Sequence, residues 1–234
     1  NNFEIRNNLI VDTGVYGIFP QLGQNGVVEH NVVSGIEDAA IYVGMSDNVH
    51  VAHNDVFDSV AGIEIENSRH AIVENNYVHN NTGGILAFAL SFDEVIVTNF
   101  IVGNNHDNFG APGSTVAGIP PGTGVLIMAA DDVVIEGNII SDNKTAGILV
   151  TDHGHAANIT VDPESEPNSD RVKILDNVMR GNGYDTIPDV KALMLTELKQ
   201  GNPDIVRVGP SPGSCILNRE RYITVGVKDF ANCD

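Results

Sequence analysis

One spacing constrains this chain more than any other feature. An apolar residue followed three positions later by Asn recurs as Ile5-Arg6-Asn7-Asn8, Val28-Glu29-His30-Asn31, Val51-Ala52-His53-Asn54, Val73-Glu74-Asn75-Asn76, Ile96-Val97-Thr98-Asn99, Ile135-Glu136-Gly137-Asn138 and Ile174-Leu175-Asp176-Asn177. Successive Asn are 23, 23, 22, 23, 39 and 39 residues apart, so the last two steps read as one repeat plus an insertion. A second register runs in phase with it. Gly17-Ile18, Ala40-Ile41, Gly62-Ile63, Gly84-Ile85, Gly124-Val125 and Gly147-Ile148 each open a short run in which apolar residues alternate. Period-two alternation means strand, with every second residue pointing inward.

A unit of 22–23 residues is too short to bury its own apolar side, so such units must stack into a solenoid with one continuous core. The Leu-rich consensus of a leucine-rich repeat is absent, and the period is too short for a propeller blade. The expected fold is therefore all-β, a right-handed parallel β-helix. Asn tolerates the left-handed backbone of a sharp turn. Stacked Asn side chains can also hydrogen-bond to one another along the coil. A ladder of Asn at one corner is the expectation.

Particular strings point further. GVYGIFP (14–20), AAIYVGMSDN (39–48), VAGIEIENS (60–68), NNTGGIL (80–86), NFGAPG (108–113), PPGTGVLIMAADD (120–132) and NKTAG (143–147) resemble bacterial exported β-helix repeat proteins of the pectate-lyase-like superfamily. The resemblance covers roughly residues 10–150 and carries a fold rather than a defined activity. It implies that the Asn corner separates the second and third strands of a rung, with the Gly-opened strand first. It also implies an extracytoplasmic protein with further rungs upstream of Asn1, where the chain begins inside a repeat.

Three insertions interrupt the coil, at 103–123, 152–169 and around 183–190. All border the Gly-opened strands and would wall a groove there, where binding residues concentrate. Superfamily enzymes place their clefts on that face, an argument by analogy alone. The outward positions on it are Phe19, Tyr42, Glu64, Glu66, Leu86, Phe88, Leu126, Met128, Leu149 and Thr151. So apolar a stripe is either covered by the insertions or binds something, whether sugar rings or a protein.

Within that stripe, Glu64 and Glu66 at i and i+2 point the same way, about 6.5–7 Å apart at Cα. That separation suits an acid and a base for glycoside hydrolysis. It also suits a hard cation such as Ca²⁺, or two plain surface carboxylates. Phe19, Tyr42, Phe88, Met128 and Asp152 are the candidate substrate-binding residues, and His153 is a further catalytic candidate. Asp152, His153 and His155 have metal-ligand chemistry and would serve equally as turn residues. Asp131 and Asp132 offer a second place for Ca²⁺, and His30 and His53 are expected to stack beside the Asn corner. Asn80-Asn81-Thr82, Asn143-Lys144-Thr145 and Asn158-Ile159-Thr160 match a glycosylation sequon, which means little in a bacterial protein.

Charge narrows the partners. With 12 Lys and Arg against 31 Asp and Glu, a net −19, the surface repels nucleic acid and anionic membranes. No apolar run approaches a membrane span. Cys215 and Cys233 are the only cysteines; as a disulfide they would staple an irregular C-terminal cap around 200–234 in an oxidising compartment. The segment from Val190 to Lys199 reads as a short helix or a distorted strand, with Ala192–Leu195 as the next face strand. The functions in view are a polysaccharide-binding or polysaccharide-cleaving protein of lyase or glycoside-hydrolase type, a non-catalytic scaffold with a protein partner, and metal handling.

Overall fold

The structure, a computed structural model, describes residues 1–89, 91–155 and 166–234. It is a right-handed parallel β-helix: every strand pairs in parallel with its equivalents one rung before and after. One face is a nine-stranded sheet from Phe3–Arg6 to Ala231–Asn232. The other two faces join into a 13-stranded sheet through the long strands Leu9–Ile18 and Val32–Gly44, which bend around a corner. The Gly-opened face comprises Ala61–Glu66, Gly83–Phe88, Thr123–Met128, Ala146–Thr151, Ile205–Arg207 and Thr224–Val225. The third face comprises Asp55–Phe57, Tyr77–His79, Phe100–Val102, Ile139–Ser141 and Val178–Arg180.

Alternation decides what enters the core. Val28, Val51, Val73, Ile96, Ile135, Ile174 and Ile216 form one inward row, each in register with the next and each buried. Ile41, Ile63, Ile85, Val125, Ile148 and Ile205 form another on the Gly-opened face. β-Branched residues dominate because their stiff side chains pack well on a pleated surface.

The Asn ladder is present. Asn31 Nδ2 donates to Asn54 Oδ1 at 3.0 Å, and Asn54, Asn76, Asn99 and Asn138 each donate likewise to the next, ending at Asn177. The same oxygens accept the backbone N–H of the preceding Asn. The left-handed residue is not the ladder Asn, as expected, but the one before it: Asn7, His30, His53, Asn75, Thr98, Gly137 and Asp176 all have positive φ. That conformation costs about 1–2 kcal/mol in a non-glycine residue. The ladder offsets the cost by satisfying buried polar groups that would otherwise lack partners. His30 and His53 stack there, centroids 5.1 Å apart.

A second ladder, not foreseen, runs through the corner ahead of the Gly-opened strands: Ser59, Asn81, Asn104, Asn143 and Asn182. Asn143, the acceptor of one sequon, and Asn81, the middle residue of the Asn80 sequon, are buried members of it; Asn158 lies outside the described residues. Residues 200–234, expected to be an irregular cap, add two short strands to each sheet. Cys215 and Cys233 are disulfide-bonded with Cα atoms 5.1 Å apart. The Tyr222 hydroxyl donates to the Asn177 carbonyl, where the first ladder ends. The helix α1, Pro188–Thr196, replaces the strand expected at Ala192–Leu195. Proline at its first turn suits a helix start and disfavours a strand that must donate.

Candidate functional site

The outward rows of the Gly-opened face divide it in two. Tyr42, Glu64, Leu86, Leu126, Leu149, Val206 and Val225 are in register across successive rungs. Gly44, Glu66, Phe88, Met128 and Thr151 form the next row. The later rungs are roofed. Val116 of the 3₁₀ turn Thr115–Gly118 and Ile119 pack on the face from the 103–123 insertion, and Val190 packs from α1. Phe88 at 1% exposure and Met128 at 4% lie beneath this roof. Candidates for sugar binding in a stripe expected to be either covered or open, these two residues are covered: they belong to a second apolar core beneath the insertions. A cavity of about 280 Å³ remains there, floored by Phe88, Leu126, Met128 and Leu149, with exposed His155 and Asp189 at its edge.

The first rungs carry a different surface. Phe19 is open at 43% exposure. Its ring stacks on Tyr42 at 4.7 Å, and Tyr16 lies 4.4 Å from Phe19 and 5.2 Å from Tyr42. Glycine at 44 lets Tyr42 fold across the strand: a Cβ there would stand 2.2 Å from the ring. The Tyr42 hydroxyl then donates to Glu66 Oε2 at 2.8 Å.

Glu64 is not the surface carboxylate that alternation suggested. It is buried at 2% exposure, and its Oε2 has no hydrogen-bond partner among the described residues. Burial, then the charges of Glu66 and Asp38, push its pKa well above the usual carboxylate range. Asp38 is half-buried and is raised to about 6 by burial and by Glu66. Tyr16 is raised to about 12 by burial, then by Asp38, Glu64 and Glu66. Close carboxylates with no cation beside them hold protons because like charges cannot all ionise together. Sequence reading missed Asp38 and Tyr16, which sit just ahead of the alternating runs. The signal was an acid or an aromatic one or two residues before a Gly- or Ala-opened strand.

The remaining candidates fall elsewhere. Thr151 is three rung steps from Glu66, about 14 Å at the usual strand spacing, so Asp152 and His153 do not share a site with the Glu pair. Asp152 is buried and its Oδ1 accepts both the backbone N–H and Nδ1 of His155 at 2.8 Å. His153 is also buried, and its backbone N–H donates to Pro167 O. Residues 156–165 of the 152–169 insertion lie outside the described residues. Among the described residues one acidic or histidine trio has ligand atoms within 4.8 Å, namely Asp131, Glu166 and Asp170. The Arg171 guanidinium occupies its edge, 3.0 Å from Asp131 and 2.8 Å from Asp132. The trio excludes Asp152, His153 and His155.

The family model described as periplasmic copper-binding protein (NosD) matches residues 1–116. Within that span His50 pairs with Glu74 at 2.8 Å and His79 with Asp55 at 3.0 Å, and His70 lies between Asp47 at 2.7 Å and Asp93 at 3.5 Å. No three His, Cys, Asp or Glu ligands converge there among the described residues, so the donor set does not fit a copper centre. No curated protein matches the sequence. Solved structures do match in fold. The periplasmic alginate epimerase AlgG shares 16% identity at a TM-score of 0.59, over 76% of this chain and 45% of that one. An alginate lyase from Paenibacillus shares 15% identity at 0.55, over 92% and 70%. The A-module of a mannuronan C-5 epimerase from Azotobacter vinelandii shares 14% identity at 0.61, over 100% and 55%. This chain thus spans under half the length of the first and about half of the third. With its stacked rungs, its Asn ladder and these matches in fold, the chain is a right-handed parallel β-helix repeat protein.

Proposed function

We propose that this protein binds and cleaves a polysaccharide outside the cytoplasm, at the aromatic and acidic patch on the first rungs of the Gly-opened face. The observation that carries this reading is a set of three carboxylates, Asp38, Glu64 and Glu66, in which burial and neighbouring charge raise the pKa of Asp38 and Glu64, beside the open ring of Phe19 and the half-buried ring of Tyr16. Aromatic faces suit the apolar faces of sugar rings. An acid titrating at about 6 can donate a proton to a leaving oxygen near neutral pH. In this reading Glu66, which accepts from Tyr42, is the partner base. Burial and then the charge of Glu66 keep the Asp38 proton in place, while Glu64 is sealed beneath the surface and does not meet the glycan. The disulfide and the described polysaccharide-acting neighbours fit the same setting. Screening polysaccharides for released reducing ends, with wild type and the Asp38→Asn, Glu64→Gln and Glu66→Gln variants, tests the reading. Unchanged activity in all three variants removes the patch from the mechanism.

A second reading, a scaffold with a protein partner, draws on another surface. Leu9, Tyr77, Phe100, Ile139 and Val178 lie in one outward row of the third face and are all exposed. An uncovered apolar row of this kind is a protein-contact candidate. The expected interface on the Gly-opened face is roofed. Crosslinking before and after Tyr77→Glu and Phe100→Glu substitution tests this alternative: a monomer with no partner-dependent change sinks it.

A further inference from the structure

The acidic patch has a property that bears on which polymers it accepts, an inference that rests on the polysaccharide reading above. Tyr42 is in register with Glu64 and donates to Glu66 at 2.8 Å, and the groups that raise Asp38 and Glu64 are burial and other acids, with no cation among them. The outward positions of the face strands hold no Lys or Arg. The cations of the surrounding segments are engaged elsewhere. Arg207 bonds Gly209 O and Asp229, Arg171 bonds Asp131 and Asp132, and Lys144 bonds Asn105 O. Arg69 stands over the Phe92 ring at 4.6 Å, around the corner from the face. The accessible recognition surface is instead the exposed Phe19 ring, backed by the half-buried Tyr16 ring 4.4 Å away.

We propose that the patch is selective for neutral glycans and rejects polyuronates. A uronate carboxylate brought against Asp38 and Glu66, with no cation facing them, meets repulsion, within low-dielectric surroundings that strengthen it. Proton uptake by Asp38 and Glu64 relieves the patch of its own charge but offers nothing to hold a further anion. Neutral sugar rings lose nothing there and gain the stacking surface. This sets the site apart from those of the alginate-acting proteins it resembles in fold, whose polymer carries a carboxylate on every sugar.

Affinity electrophoresis at pH 7 and low salt tests this with matched probes: polygalacturonan against its carboxyl-reduced form, and alginate against galactomannan, xylan and mixed-linkage glucan. The expected result is retardation by at least one neutral polymer, with polyuronates at least about tenfold weaker. Asp38→Asn and Glu66→Gln, each checked for fold by circular dichroism, should narrow that gap. Equal or tighter binding of polyuronates overturns the selectivity while leaving the polysaccharide reading intact. So does polyuronate binding that appears only with added Ca²⁺, since a bridging cation would then complete the site. Binding of no polymer of either kind overturns both.

Discussion

Replacing Asn76 by alanine removes the centre of the first ladder, and its cost can be worked from the bonds it makes. The Asn76 Oδ1 atom accepts from the backbone N–H of Asn54 at 3.0 Å and from Asn54 Nδ2 at 2.9 Å. Its Nδ2 donates to Val51 O at 2.9 Å and to Asn99 Oδ1 at 3.0 Å. After truncation Asn54 Nδ2 keeps Val28 O, and Asn99 Oδ1 keeps the Asn76 N–H. The Asn54 N–H and the Asn76-facing lone pair of Val51 O lose their partners inside a dry corner. At about 1–3 kcal/mol for each such group, the loss is about 2–6 kcal/mol. Asn2→Ala, at an exposed residue with one bond at 3.4 Å, should change stability by under about 0.5 kcal/mol. Guanidinium unfolding gives the difference. Native-state hydrogen exchange at the Asn54 amide localises it, because a stacked solenoid opens in neighbouring units. A loss below about 1 kcal/mol with the Asn54 amide still protected would refute the ladder argument.

Other outcomes follow from the same structure. Glu94 is buried, with Oε2 accepting the Ala71 N–H and Oε1 unpartnered, and burial raises its pKa from 4.5 to about 8. The folded state keeps this proton while the unfolded chain releases it, so stability is full below about 4.5 and falls as pH rises to about 8, by up to about 5 kcal/mol. Glu94→Gln should remove most of that slope in unfolding at pH 5 and pH 9; an unchanged slope contradicts it. Cleavage activity should decline as pH rises through about 6, where Asp38 loses its proton, and the Asp38→Asn pH profile should lack that limb. Phe88→Ala, beneath the roof, should cost about 3–5 kcal/mol in thermal or denaturant unfolding; a solvated groove residue would cost far less. Reducing the Cys215–Cys233 bond, with a sequence separation of 18, should cost about 3 kcal/mol, read as a shift in the unfolding midpoint.

The coil was legible because its determinants are periodic. The Asn corner and the inward β-branched rows recur at 22–23 residues, and any stacked rung must repeat them to keep its core and corner satisfied. The second ladder obeyed the same spacings, with Asn81, Asn104, Asn143 and Asn182 separated by 23, 39 and 39 residues. It was missed because Asn81 and Asn143 fall within strings that read as sequons. The candidate site was harder to see. Alternation correctly put Glu64 and Phe88 on the outward side, yet an outward residue is exposed only when nothing covers it. Whether the 103–123 insertion folds back over Phe88, or leaves Phe19 bare, depends on contacts between segments far apart in sequence, which have no period. Asp38 escaped for a related reason: its altered acidity comes from burial and then from Glu66, a rung away.

The account's central claim is that glycan binds the aromatic and acidic patch of the first rungs. Hydroxyl-radical footprinting of the protein with a mixture of xylo-, manno- and gluco-oligosaccharides tests it most directly. The account predicts protection of Tyr16 and Phe19 on addition of the mixture, with Tyr77 and Phe100 on the third face unchanged. Protection confined to Tyr77 and Phe100, or no protection at Tyr16 and Phe19, would contradict it.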